Sequence, residues 1–127
     1  MPQPNSLVQR KQSEGPRADA QLPYANLIEI LPGMQLVTEL DRLFGNGQSV
    51  NLGIPKTLTE NDINYILDQI YTSLGRMSPF AQDGYKYTLR NNMHDMIMEQ
   101  LNQGNACVVL FNPGSRDREA SYSITTK

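Results

Sequence analysis

The stretch Leu58–Gly104 constrains this chain most, because it reads as two consecutive helices that must share a core. The first helix has a marked start. Thr59 suits the N-cap, where its hydroxyl can accept from an amide left unpaired in the first turn. Glu60 and Asp62 follow and place negative charge at the positive end of the helix dipole. Leu58 and Ile63 flank the cap at the spacing of a hydrophobic staple. Ile63, Ile66, Leu67, Ile70, Leu74 and Met77 then fall on one stripe at about 100° per residue. Asp68, Gln69 and Thr72 lie off it, and Gly75 is placed to loosen or end the helix.

The second helix starts less cleanly. Ser78-Pro79 suits N-cap and first helical position, Gly84 interrupts, and the pattern settles from Tyr85. Tyr85, Leu89, Met93, Met96, Ile97 and Leu101 share a side, and Gly104-Asn105 closes the helix. Tyr87, His94 and Met98 widen the apolar arc beyond one packing face. That widening implies either contact with two neighbours or an exposed patch for a partner. Methionine serves both ends, since its unbranched chain fills irregular gaps and suits tolerant binding surfaces.

Upstream, Leu27–Leu31 reads as a short strand, separated by Pro32-Gly33 from an amphipathic helix over Met34–Phe44. Leu36, Val37, Leu40, Leu43 and Phe44 form its stripe. In Gln48–Thr57, Val50, Leu52 and Ile54 alternate with Asn51 and Gly53, which predicts a short edge strand or an extended loop on the core. Downstream, Ala106–Phe111 is a continuous apolar run bounded by Asn105 and Asn112-Pro113-Gly114, the pattern of a buried strand. Pro113-Gly114 suits the centre of a type II turn. Tyr122 and Ile124 alternate with polar residues as a half-exposed strand that pairs back as a hairpin. The expected class is α+β, with three helices on a small, mostly antiparallel sheet. Ile66, Ile70, Leu89, Met93 and Val109 should be buried together.

Residues 1–22 read as an extended N-terminal arm on a single domain of residues 23–127. The arm holds Pro2, Pro4, Gly15 and Pro16 among polar and charged residues, with Leu7-Val8 its only apolar pair. Such a segment buries too little surface to offset its ordering entropy, so it should order only against a partner. It carries Arg10, Lys11 and Arg17 against Glu14 and Asp19, whereas residues 23–105 carry nine acids against five bases. A weakly basic arm therefore leaves a weakly acidic body.

Composition narrows the chemistry. A length of 127 residues suits one core, and 39% hydrophobic content is below the usual globular share. Cys107 is the only cysteine, which excludes an internal disulfide and a zinc site built from several cysteines. This fits a reducing compartment, cytoplasmic or inside a virion. The first residues lack the apolar stretch of a signal peptide, and no run is long enough to span a membrane.

His94, the only histidine, has Asp95 and Glu99 nearby, but helical spacing turns His94 and Asp95 in different directions. Cys107 opens an apolar strand, where a thiol behaves as a small hydrophobe. Gly45 and Gly47 belong to neither a P-loop nor a dinucleotide fingerprint. These readings point away from an enzyme and indicate no cofactor and no metal. Nucleic-acid binding would rest on the basic arm and on a loop with Arg116 and Arg118, in a chain of pI about 5.3. A protein partner, or a second copy, fits better. The candidate contact residues are Leu7, Val8, Arg10 and Lys11 on the arm and Tyr65, Tyr87, His94 and Met98 on the helices. Tyr65 stands opposite the stripe of its own helix, and tyrosine offers contact area at low entropic cost. The expected role is a non-enzymatic adaptor or assembly subunit, such as a small structural component of a phage or other large complex.

Overall fold

The computed structural model describes residues 25–77, 83–115 and 118–127. The arm of residues 1–22, with Leu7, Val8, Arg10 and Lys11, lies outside them, as do Ser78-Pro79 and Arg116. The elements run β1 (Leu27–Glu29), α1 (Val37–Gly45), β2 (Val50–Ile54), α2 (Glu60–Met77), α3 (Asp83–Asn102), β3 (Cys107–Asn112) and β4 (Ser121–Thr126). The class is α+β, with three helices and a four-stranded sheet in the order β1-β2-β3-β4. The β2–β3 and β3–β4 pairs are antiparallel, while β1 and β2 are parallel.

That parallel pair corrects the reading of residues 48–57 as an edge strand or loop. β2 is an inner strand, buried along its whole length between β1 and β3. The period of two arises because Val50, Leu52 and Ile54 face the helices, opposite Phe111, Val109 and Cys107. Asn51 is buried on the other face because its needs are met: its side-chain amide donates to the Ala25 carbonyl (2.8 Å) and its backbone amide to Asn26 (3.1 Å). Gly53 completes that face. A Cβ there would lie 2.5 Å from Glu29 Oε1, so the glycine lets the Glu29 carboxylate lie across the strand. Glu29 in turn lies 3.5 Å from the Lys127 amine, which reaches over from the far side of the sheet.

The helices cover the opposite face with one core. Ile66, Ile70, Leu89, Met93 and Val109 are buried in it together, as expected, and Phe44 meets Phe111 with ring centroids 5.6 Å apart. α2 is the hub. Its start follows the capping expectation: Thr59 Oγ1 accepts from the Asp62 amide (3.2 Å), and Asp62 Oδ2 accepts from the Thr59 amide (2.9 Å). This reciprocal pair satisfies two otherwise orphan donors. Thr59→Ala should therefore lower unfolding free energy by about 1 kcal/mol in chemical denaturation, and an unchanged midpoint would place the helix start elsewhere.

Three boundaries differ from the expectation. α2 continues through Gly75 to Met77, and α3 begins at Asp83 and includes Gly84. The helices carry these glycines at a cost of roughly 1 kcal/mol each. α1 begins at Val37, not Met34, because Leu31–Met34 form a turn of their own and Leu36 is the N-cap, without a side-chain cap of its own. Its cap comes from α2. Gln69 is buried, and its Oε1 accepts from the Leu36 amide (2.5 Å) while its Nε2 donates to the Met34 carbonyl (2.8 Å). Buried Ser73 adds a second tie, donating to Asp41 (2.6 Å), whose other oxygen meets Arg76 (2.9 Å). These bonds hold the Asp41 carboxyl below its ordinary pKa, Ser73 contributing most and partial desolvation opposing.

The β3–β4 hairpin forms as expected, with Asn112 opposite Ser121. Gly114 turns the chain at φ +86°, a conformation that L side chains rarely adopt. Ser115 and Arg118 close the loop by backbone hydrogen bonds in both directions.

Candidate functional site

Two flanks of α2 separate the candidate contact residues. Gln69, Ser73 and Arg76 turn towards α1, and Tyr65 belongs to that flank, its hydroxyl accepting from Gln35 Nε2 at 2.5 Å. Tyr65 stays 39% exposed. Glu60, Asn64 and Asp68 turn instead towards α3. There Arg90 donates to Asp68 (2.9 Å) and to the Asn64 carbonyl (3.2 Å), and His94 meets Glu60. Tyr65 is therefore not on one patch with Tyr87, His94 and Met98.

The wide arc of α3 resolves mainly as contact with two neighbours. Met93 is buried and Met98 is half-buried against the core. Tyr87 is 60% exposed. Met96, expected on the packed side, is 44% exposed. The reason is geometric. His94 and Arg90 define the flank of α3 that meets α2, and about 100° per residue puts Met96 on the opposite flank. α3 reaches β4 through Gln100, which accepts from Thr126 Oγ1.

His94 also departs from the helical-spacing expectation. Asp95 does reach it: Nδ1 lies 2.9 Å from Asp95 Oδ1, and Nε2 lies 2.7 Å from Glu60 Oε2. Both ring nitrogens face carboxylates, and only the imidazolium can donate to both. The pKa is accordingly raised, chiefly by the Asp95 hydrogen bond, with burial opposing and Glu60 adding to the rise. A raised folded pKa means that the charged form is favoured by folding. The stabilisation is present in full below the ordinary value of 6.5 and is lost as pH rises through the higher folded value. His94→Gln should flatten the fall in thermal midpoint between mildly acidic and alkaline pH. A variant with the wild-type pH profile would show that this clasp does not couple to folding.

Cys107 is fully buried, and burial pushes its thiol up to about 11. It stays protonated near neutrality and packs as an apolar group. Among the described residues no group of three His, Cys, Asp or Glu side chains could hold a metal ion, and no helix is long and apolar enough to cross a membrane. Arg118 is exposed on the loop before β4.

Among the described residues, the β4 margin is an edge without a pairing strand, which sequence reasoning missed. β4 runs for six residues, Ser121 to Thr126, without a charge, proline or glycine. Its inner edge pairs with β3 throughout, and among the described residues nothing pairs with its outer edge. Edge strands are usually blunted by lysine, proline, bulges or shortness. β1, the other edge, is only three residues long. β4 has no such protection, since the Lys127 amine after it turns across the sheet to Glu29. On the helix side, Tyr122 and Ile124 are half-buried, and Gln100 of α3 accepts from Thr126 Oγ1 (2.8 Å). Met96 and Glu99 of α3 are exposed. The alternating pattern of β4 was legible in the sequence, but its place at the sheet margin depended on strand order.

Comparison with known protein families, curated proteins and solved structures finds no match to this chain.

Proposed function

We propose that this protein is a non-enzymatic subunit or adaptor of a larger assembly, docking through its N-terminal arm and through the flank of α3 beside β4. The β4 margin carries the reading. It combines a strand edge that no described residue pairs with and half-buried Tyr122 and Ile124, so a partner strand would find backbone groups and apolar cover together. The arm supports it from the sequence side, because Leu7-Val8 with Arg10 and Lys11 offers contact without a core of its own. A small structural component of a phage or other large complex suits such a design.

The test is deletion of residues 1–22. Thermal unfolding should be nearly unchanged, since segments without burial contribute little to stability. Assembly with the partner should weaken, and only mildly with added salt, unlike phosphate contacts. A truncated chain that assembles normally would remove the arm from the mechanism.

A further inference from the structure

We propose that Asn46, placed directly before Gly47, is a self-modification site: it loses its side-chain amide through a cyclic imide when the turn that ends α1 opens. Asparagine is among the heat-labile residues, and a glycine after it leaves the attacking backbone nitrogen unshielded. Asn46-Gly47 is the only such pair in the chain. Both residues are exposed, and among the described residues the Asn46 side chain has no hydrogen-bond partner. The other described asparagines outside the helices are held. Asn26 and Asn51 donate to the Ser49 and Ala25 carbonyls, Asn105 donates to Gln100, and Asn112 is tied to Ser49 and Ser121.

The folded turn guards the site. Asn46 is the C-cap of α1, with φ −96° and ψ 6°. The Gly47 amide donates to the Phe44 carbonyl (2.9 Å), and the Gln48 amide to the Leu43 carbonyl (2.9 Å). These are the two bonds of a Schellman motif. The attacking nitrogen is therefore engaged, and this ψ turns it away from the Asn46 Cγ. Ring closure needs the Gly47 bond to break and ψ to rotate, so local opening comes first. Base then takes the Gly47 amide proton, the nitrogen bonds to Cγ, and ammonia leaves. Water opens the imide at either carbonyl. The product is aspartate, or an isoaspartyl link that runs the backbone through the former side chain. Either product puts a carboxylate at the negative end of the α1 dipole. The isoaspartyl product also lengthens the main chain by a methylene inside the turn, so the two turn bonds no longer fit together. Ser49 lies just beyond, and its carbonyl accepts from Asn26 (3.0 Å), so the change loosens the entry to β2.

The experiment incubates the full-length chain at mildly alkaline pH, native and in guanidinium chloride. Ion exchange and peptide mapping follow the acidic product. It should map to Asn46, contain isoaspartate, and form about tenfold or more slowly in the native chain than in the unfolded one. It should form faster as pH rises, and Asn46→Gln should abolish it, since the longer side chain disfavours ring closure. A native chain whose acidic products map only to other asparagines would overturn the proposal. Equal rates in the native and unfolded chains would also overturn it, because the turn would then not guard the site.

Discussion

Replacing Gln69 with leucine should lower the unfolding free energy by about 2–4 kcal/mol, as one buried and one half-buried backbone group lose their partner at about 1–3 kcal/mol each. The orphaned groups are the Leu36 amide and the Met34 carbonyl, which Gln69 serves across the α1–α2 contact. Leucine matches the volume closely, so little of the loss would come from a cavity. Leu36 has no side-chain cap, and the first turn of α1 depends on this one residue of another helix. Denaturant titration should show a lower midpoint, with early loss of protection at the start of α1 in hydrogen exchange. A change below about 0.5 kcal/mol, the usual range of surface substitutions, would mean that solvent caps α1 instead.

Ile70→Ala should cost about 2–5 kcal/mol, from lost burial together with the cavity left behind. Ile70 sits where α2, α3 and β3 meet, among Leu67, Leu89, Met93 and Phe111. A small void already borders this group, so the neighbours have room to shift and the loss should not exceed that range. Ile70→Val, which removes one methyl group, should cost about 0.5–1.5 kcal/mol. Equal effects of the two substitutions would show that the site collapses freely and that α2 does not pack as described.

Those neighbouring positions show what periodicity conveys. Ile70 was legible because apolar residues at helical spacing have only one way to leave water together. Gln69 was not, because its partners lie 33 and 35 residues upstream and its type suggests solvent. The same limit hid the centre of the sheet. Val50, Leu52 and Ile54 announced a strand, but its inner place depended on parallel pairing with β1, which no local signal carries. Asn51 and Gly53 suggested exposure, yet Ala25, Asn26 and Glu29 cover them. On α3, the count of apolar residues exceeded one face, and spacing alone could not assign Met98 to the core and Met96 to an open flank. The β4 margin followed the same logic, since SYSITT reads alike as an inner or an outer strand.

The most direct measurement is the mass of the full-length protein in solution across a range of concentrations. An assembly subunit that binds copies of itself should exceed 14.3 kDa and grow with concentration. Removing residues 1–22 should return it to a single chain whose thermal midpoint matches that of the full-length protein at dilution. A mass of 14.3 kDa at every concentration, with no partner retained from its native source, would contradict the role of assembly subunit.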